Sequence, residues 1–295
     1  MHEIRRVGVL GCGLMGSGIA QTAATAGLTT LVRDVEDGLL ARGESAIQKS
    51  LDKLVEKGKL DAATRERAMA QLTFTTDLGD LAECDLVVEA VTEDLGLKND
   101  LWRALDDVCP PSTIFASNTS SLSIGAMAAA TRRPDRMVGL HFFNPVPLMP
   151  LVEVVRAVTT SPDVLERVTA FARRLGKEPI AARDRSGFVV NRLLVPYLLD
   201  AVRALEQGVA SASDIDRGMQ LGCGHPMGPL ALLDLVGLDT VSRIAEIMFD
   251  EYREPRYAPP PILRRLVTAG HLGRKSGRGF YDYASDPPIP VDPGL

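Results

Sequence analysis

The sequence predicts an α/β domain with a mostly parallel sheet, followed by an all-α C-terminal domain. Three observations carry this expectation. Short apolar runs alternate with longer segments of helical period as far as Ala182, a glycine-rich turn follows the first run, and from Ser186 onward the periodic segments read as helices. Residues 7–10, 30–32, 73–75, 86–91, 114–116, 137–142, 151–155 and 179–182 read as strands, because they concentrate aliphatic and β-branched side chains in runs too short for a helix. Helices fill the gaps. One of them is well punctuated: Ser161 can cap it, Pro162 suits its first position and Gly176 ends it. Past residue 185 the segments 188–207, 213–221 and 230–248 keep a helical period, so the chain divides into domains 1–185 and 186–295. The stretch 252–261, rich in proline and charge, reads as a loop, and the tail 286–295 as disordered.

With 295 residues, 45% hydrophobic and 24% charged, the chain can bury a core of this kind in two unequal domains. The formal charge of -5 gives no reason to expect a nucleic-acid partner. The four cysteines, Cys12, Cys84, Cys109 and Cys223, form no C-x-x-C pair and no zinc-like cluster with histidine, so no metal is expected and a reducing compartment fits. Met1-His2-Glu3-Ile4-Arg5-Arg6 leads straight into a strand, and no uncharged run could cross a bilayer. A cytoplasmic protein without membrane partners is the expectation.

Gly11-Cys12-Gly13-Leu14-Met15-Gly16 directly follows an apolar strand and opens a helix, the context that gives a glycine triplet meaning. Gly11 permits the tight turn, Gly13 lets the backbone approach a pyrophosphate, and Gly16 lets helix and strand pack closely. The N–H groups that open the helix, at Leu14 and Met15 among others, face the phosphates. The next strand runs to Asp34, near the spacing at which an acid accepts hydrogen bonds from the adenosine ribose. This is a Rossmann-type dinucleotide-binding pattern; the competing reading is a glycine turn that serves packing alone. A carboxylate at Asp34 repels a 2′-phosphate and so favours NAD, although Arg33 could offer NADP a partner.

Of the four histidines, only His141 closes an expected strand, at the sheet edge where α/β folds place ligands. An alcohol oxidation needs a general base there. The next strand carries one acid among apolar residues, Glu153, and a buried carboxylate requires a partner. A hairpin-like return would set Glu153 beside His141 to fix its tautomer; a satisfied histidine and an unrelated edge-strand glutamate is the alternative. Ser117-Asn118-Thr119-Ser120-Ser121 and Asn191 could orient a substrate oxygen, or serve as a helix cap and a domain-junction hydrogen bond.

These residues carry a resemblance over nearly the whole chain. The glycine turn continued as Ser17-Gly18-Ile19-Ala20-Gln21, Ala116-Ser117-Asn118-Thr119-Ser120-Ser121-Leu122, His141-Phe142-Phe143-Asn144-Pro145 and Ser186-Gly187-Phe188-Val189-Val190-Asn191-Arg192 resemble, in order, the motifs of 3-hydroxyacyl-CoA dehydrogenases. His225-Pro226-Met227-Gly228-Pro229 and Leu272-Gly273-Arg274-Lys275-Ser276-Gly277-Arg278-Gly279-Phe280-Tyr281 extend the likeness, which is closest to the short bacterial 3-hydroxybutyryl-CoA dehydrogenases. The resemblance implies His141 as general acid/base, Glu153 as its orienting partner, and Ser120 with Asn191 on the C3 oxygen. It implies Asp34, Glu93, Lys98, Ser120, Asn144 and Lys275 as NAD contacts, Ser50 and Lys57 as contacts to coenzyme A, and a homodimer formed through the C-terminal domain. The substrate pair would be (S)-3-hydroxyacyl-CoA and 3-oxoacyl-CoA. Lys49, Lys53 and Lys57 share one helical face, which suits the phosphates of coenzyme A as well as it suits solvent. Pro150 stands where many relatives carry lysine.

Three other readings remain open at this point. A relative acting on free hydroxy acids or acyl-carrier-protein thioesters would use the same pair, a crystallin-like protein would keep NAD binding without turnover, and a redox-sensing module would do likewise.

Overall fold

The computed structural model describes residues 3–291. Met1, His2 and residues 292–295 of the tail lie outside them, and with them part of the expected disordered segment. The chain forms two compact units, Met1–Phe188 and Val189–Leu295.

In the first unit the elements run β1 (Arg6–Leu10), α1 (Leu14–Thr25), β2 (Thr29–Arg33), α2 (Asp37–Glu56), α3 (Ala62–Ala70), β3 (Leu72–Thr75), β4 (Leu86–Glu89) and α4 (Leu95–Val108). They continue as β5 (Ile114–Ser117), α5 (Ile124–Ala128), β6 (Met137–Phe142), β7 (Leu151–Arg156), α6 (Pro162–Arg174) and β8 (Glu178–Arg183). The strands form one eight-stranded sheet in the order β3-β2-β1-β4-β5-β6-β7-β8. Neighbours are parallel except β6 and β7, which are antiparallel. Chain order reverses between β1 and β4, and the crevice beyond the carboxyl ends of strands at such a switch point is where open α/β sheets take ligands.

Alternate side chains explain why both faces of the sheet are covered. Val7, Val9, Val88, Ile114 and Ala116 pack in one cluster with Ile19, Ile47 and Val168 of the helices, while Leu10, Val87 and Phe115 pack in another with Trp102, Leu105 and Met127. The sixth helix begins as its punctuation predicts, with Ser161 Oγ accepting from the Val164 N–H and Pro162 at its first position. One strand is shorter than its apolar run. β4 stops at Glu89 rather than residue 91, because the Val91 N–H donates to the Glu89 side chain and leaves the sheet ladder.

The second unit comprises α7 (Val190–Glu206), α8 (Ala212–Cys223), α9 (Pro229–Val236), α10 (Leu238–Tyr252) and α11 (Pro261–Thr268), packed around Leu198, Leu230, Leu238, Tyr257 and Leu263. The segment 230–248 is two helices, not one. Gly237 takes φ +105, outside the helical region, and the Leu238 N–H bonds to the Leu272 carbonyl. The stretch 252–261 contains a short helical turn at Pro255–Tyr257, held by the Arg203 guanidinium, which donates to the carbonyls of Pro255, Arg256 and Ala258. A two-stranded ribbon, β9 (Tyr281–Asp282) with β10 (Ile289–Pro290), adds to the helices, so part of the tail expected to be disordered is a strand. Among the described residues, no helix is long and apolar enough to cross a membrane.

Candidate active site

The carboxyl ends of the parallel strands bring most of the expected residues of the first unit to one edge. Gly11, just past β1, has φ +89, a conformation only glycine enters at little cost. A Cβ at Gly16 would lie 1.8 Å from the Gly11 carbonyl oxygen, so helix α1 can close on the turn only without one. Gly13 is exposed, and a Cβ there would meet nothing within 4 Å. Open space beside unpaired N–H groups at a helix start is the shape a pyrophosphate requires. Leu14 and Met15 begin that helix. Asp34 follows β2, and its Oδ2 accepts the Cys12 N–H at 2.6 Å while Oδ1 accepts the Val35 N–H at 2.7 Å. The carboxylate thus fixes the turn and is itself fixed at the edge. The residues present fit a bound dinucleotide. Arg33 Nε donates to the Thr76 carbonyl at 3.2 Å, which ties this side chain back to the segment after β3.

Antiparallel register sets His141 of β6 opposite Glu153 of β7. Nδ1 of His141 lies 2.6 Å from Oε2 of Glu153, with the histidine 6% exposed and the glutamate 0%. A carboxylate can only accept, so Nδ1 carries a proton toward Glu153 and Nε2 is the nitrogen left outside this contact. Phe143 and Phe188 pack on the imidazole with ring centroids at 4.6 Å and 5.7 Å, which limits its rotation.

The polar run after β5 is largely occupied by the protein itself. Ser117 Oγ donates to Glu89, Asn118 Oδ1 accepts the Phe142 N–H, and the hydroxyls of Thr119 and Ser121 donate to Glu93. Ser120 is half-buried on this loop, its N–H donating to Glu93 at 3.3 Å. Burial pushes the Glu93 carboxyl up, but the Lys98 ammonium and these hydroxyls outweigh it, and Glu93 ends below the usual carboxylate range. Lys98 is turned inward: it is 1% exposed, with Nζ 2.5 Å from Glu89 and 3.2 Å from Glu93. Asn144 is exposed on the loop after β6.

Other expected residues lie elsewhere. Ser50 is half-buried on α2, and Lys49, Lys53 and Lys57 are exposed along that helix and its end. Asn191, at the start of α7, and Lys275, in the turn Arg274–Ser276, belong to the second unit. There the Lys275 ammonium pairs with Asp239 at 2.6 Å. Among the described residues no group of three or more histidines, cysteines or acids could hold a metal.

Residues 6–185 match the NAD-binding domain of 3-hydroxyacyl-CoA dehydrogenases and residues 187–283 their C-terminal domain. The chain belongs to the 3-hydroxyacyl-CoA dehydrogenase family. It is 52% identical over 282 residues to a 3-hydroxybutyryl-CoA dehydrogenase of Mycobacterium tuberculosis, covering 95% of this chain and 99% of the relative. The human mitochondrial hydroxyacyl-coenzyme A dehydrogenase is 46% identical over 287 residues, 95% of this chain and 91% of the relative. Among solved structures, M. tuberculosis FadB2 superposes with a TM-score of 0.94 at 52% identity, covering 96% of this chain and 100% of the other. The (S)-3-hydroxybutyryl-CoA dehydrogenase of Ralstonia eutropha gives 0.92 at 45%, with coverages of 96% and 100%. In this member of the family the first unit is thus an NAD-binding domain.

Two residues of the site were missed by sequence reasoning. Glu89 lies inside the apolar run 86–91, which reads as a strand without singling out its acid; it ends β4 and is fully buried. Lys177 follows Gly176 and reads as a solvated cation past a helix, yet it is 6% exposed and its Nζ donates to the carbonyls of Val146 and Met149. Burial lowers its pKa, and its two bonds brace the loop that carries Asn144.

Proposed function

We propose that the chain interconverts (S)-3-hydroxyacyl-CoA and 3-oxoacyl-CoA, acting on short chains such as 3-hydroxybutyryl-CoA. The observation that carries this reading is the buried His141–Glu153 pair, held at the same sheet edge as the glycine turn in a chain of this family. NAD, when bound, supplies the hydride acceptor for C3. In the oxidative direction His141 Nε2 takes the proton of the C3 hydroxyl, and in the reductive direction the imidazolium returns it. Glu153 accepts from Nδ1–H throughout, which presents Nε2 to the substrate and stabilises the imidazolium as it forms. Ser120, with Asn191 of the second unit, orients the C3 oxygen by hydrogen bonding. Asp34 receives the adenosine ribose, and Glu93, Lys98, Ser120, Asn144 and Lys275 complete the cofactor contacts. On α2, Ser50 and the lysine face meet the phosphates of coenzyme A.

Reduction with NADH should be rapid for acetoacetyl-CoA and at least about 100-fold less efficient, in kcat/KM, for free acetoacetate, because remote binding energy from the coenzyme A moiety is what raises the rate at C3. Equal efficiency would move the chain to a free-acid substrate. An acyl-carrier-protein thioester in the same assay separates the remaining thioester alternative.

The second unit supports a homodimer in the same reading. Its α7 exposes Leu193 at 72%, beside an apolar groove lined by Val190, Leu194, Tyr197 and Met227. Light scattering should give twice the chain mass, and Leu193→Asp should return a monomer; a monomeric wild-type chain would contradict this. Three buried free thiols, Cys12, Cys84 and Cys109, suit a reducing cytoplasmic setting.

A further inference from the structure

Glu89 ends β4 with three donors aimed at its carboxylate: Lys98 Nζ at 2.5 Å, Ser117 Oγ at 2.6 Å and the Val91 N–H at 2.8 Å. Lys98 also contacts Glu93, which gathers the hydroxyls of Thr119 and Ser121. Glu89 and Lys98 have 0% and 1% exposure, and a buried ion pair seldom adds stability over an apolar pair of the same shape. Two carboxylates surround one ammonium, so the group carries one surplus negative charge. That surplus sits past the ends of β4 and β5, on the edge that also holds the glycine turn and His141. The nicotinamide ring is the one part of the cofactor whose charge changes in the reaction, from cationic when oxidised to neutral when reduced.

We propose that Glu89, Lys98 and Glu93 act as one electrostatic unit that favours the oxidised cofactor, with the buried Glu89 setting its net negative charge. This rests on the reading that the nicotinamide lies at this edge. Glu89 is fully buried with its carboxylate bonded to Lys98, Ser117 and the Val91 N–H, so it is a positioning residue that acts by its charge and not by contact. A single charge change at a partly screened site alters the affinity for a cation and leaves that for a neutral ring nearly untouched.

The test is calorimetric binding of NAD+ and of NADH, without substrate, to the wild-type chain, Glu89→Gln, Glu93→Gln and the double variant Glu89→Gln/Lys98→Met. Each single variant has a net charge of zero and should raise the ratio Kd(NAD+)/Kd(NADH) by roughly three- to tenfold. The double variant keeps Glu93 as its only charge, and its ratio should return to within about twofold of wild type. A purely structural role predicts equal weakening of both cofactors and no return in the double variant, which would overturn the proposal. If Glu89→Gln does not fold, Glu93→Gln against the double variant decides in the same way. An unshifted ratio with both cofactors bound removes the charge assignment and leaves the proposed function standing. Failure to turn over acetoacetyl-CoA would remove that function instead.

Discussion

His141→Gln should lower kcat for acetoacetyl-CoA reduction by roughly 10²–10⁴-fold, the range a positioned general acid contributes, while NADH affinity stays within about twofold of wild type. The separation follows from where the imidazole sits. It packs between Phe143 and Phe188 with Nδ1 committed to Glu153, and the glycine turn and Asp34 hold themselves in place without it. Glutamine can still donate to Glu153, so the buried carboxylate keeps a partner and the variant is not asked to bury an unpaired charge. Stopped-flow turnover and NADH titration read the two quantities apart. Turnover near that of the wild type would remove His141 from the chemistry.

Gly16→Ala should weaken NADH binding by about 100-fold or more and destabilise the fold by about 1–3 kcal/mol, as overpacking of a close contact does. The new Cβ would lie 1.8 Å from the Gly11 oxygen and 2.9 Å from its carbonyl carbon. Both are backbone atoms of the turn, so relief requires the turn itself to move, and the N–H groups that face the pyrophosphate move with it. Gly13 is the internal control. Its Cβ would meet no protein atom within 4 Å, so Gly13→Ala should leave urea unfolding unchanged. A Gly16→Ala chain that binds NADH normally would mean that the turn does not depend on this contact.

The layers of the first unit were legible because a buried parallel sheet forces apolar runs of strand length, and the capping residues of α6 mark a helix start by themselves. The break at Gly237 was hidden: Leu230, Leu233, Leu238 and Val241 keep a helical period across it, and one glycine in such a run does not disclose a positive φ. The short ribbon after residue 280 gave no signal, since strands of two residues have no period to read. Within the site, His141 and Glu153 stood out as polar groups among apolar strand residues, and the antiparallel register that sets them opposite one another follows from a short connection. Glu89 did not stand out. Its partners Lys98 and Ser117 are 9 and 28 residues away, and only the folded chain shows that all three share one buried cluster. Lys98 was named through the resemblance, but only the folded chain shows that its ammonium lies against two carboxylates inside the unit.

Incubating the purified chain with NAD+ and either (S)- or (R)-3-hydroxybutyryl-CoA, and following NADH formation, decides whether the chain is a stereospecific 3-hydroxyacyl-CoA dehydrogenase. A site that fixes both the base and the hydride acceptor relative to C3 oxidises a single enantiomer, so NADH should appear with the (S) substrate and be at least about 100-fold slower with the (R). No NADH from either enantiomer, or equal rates from both, would contradict the account.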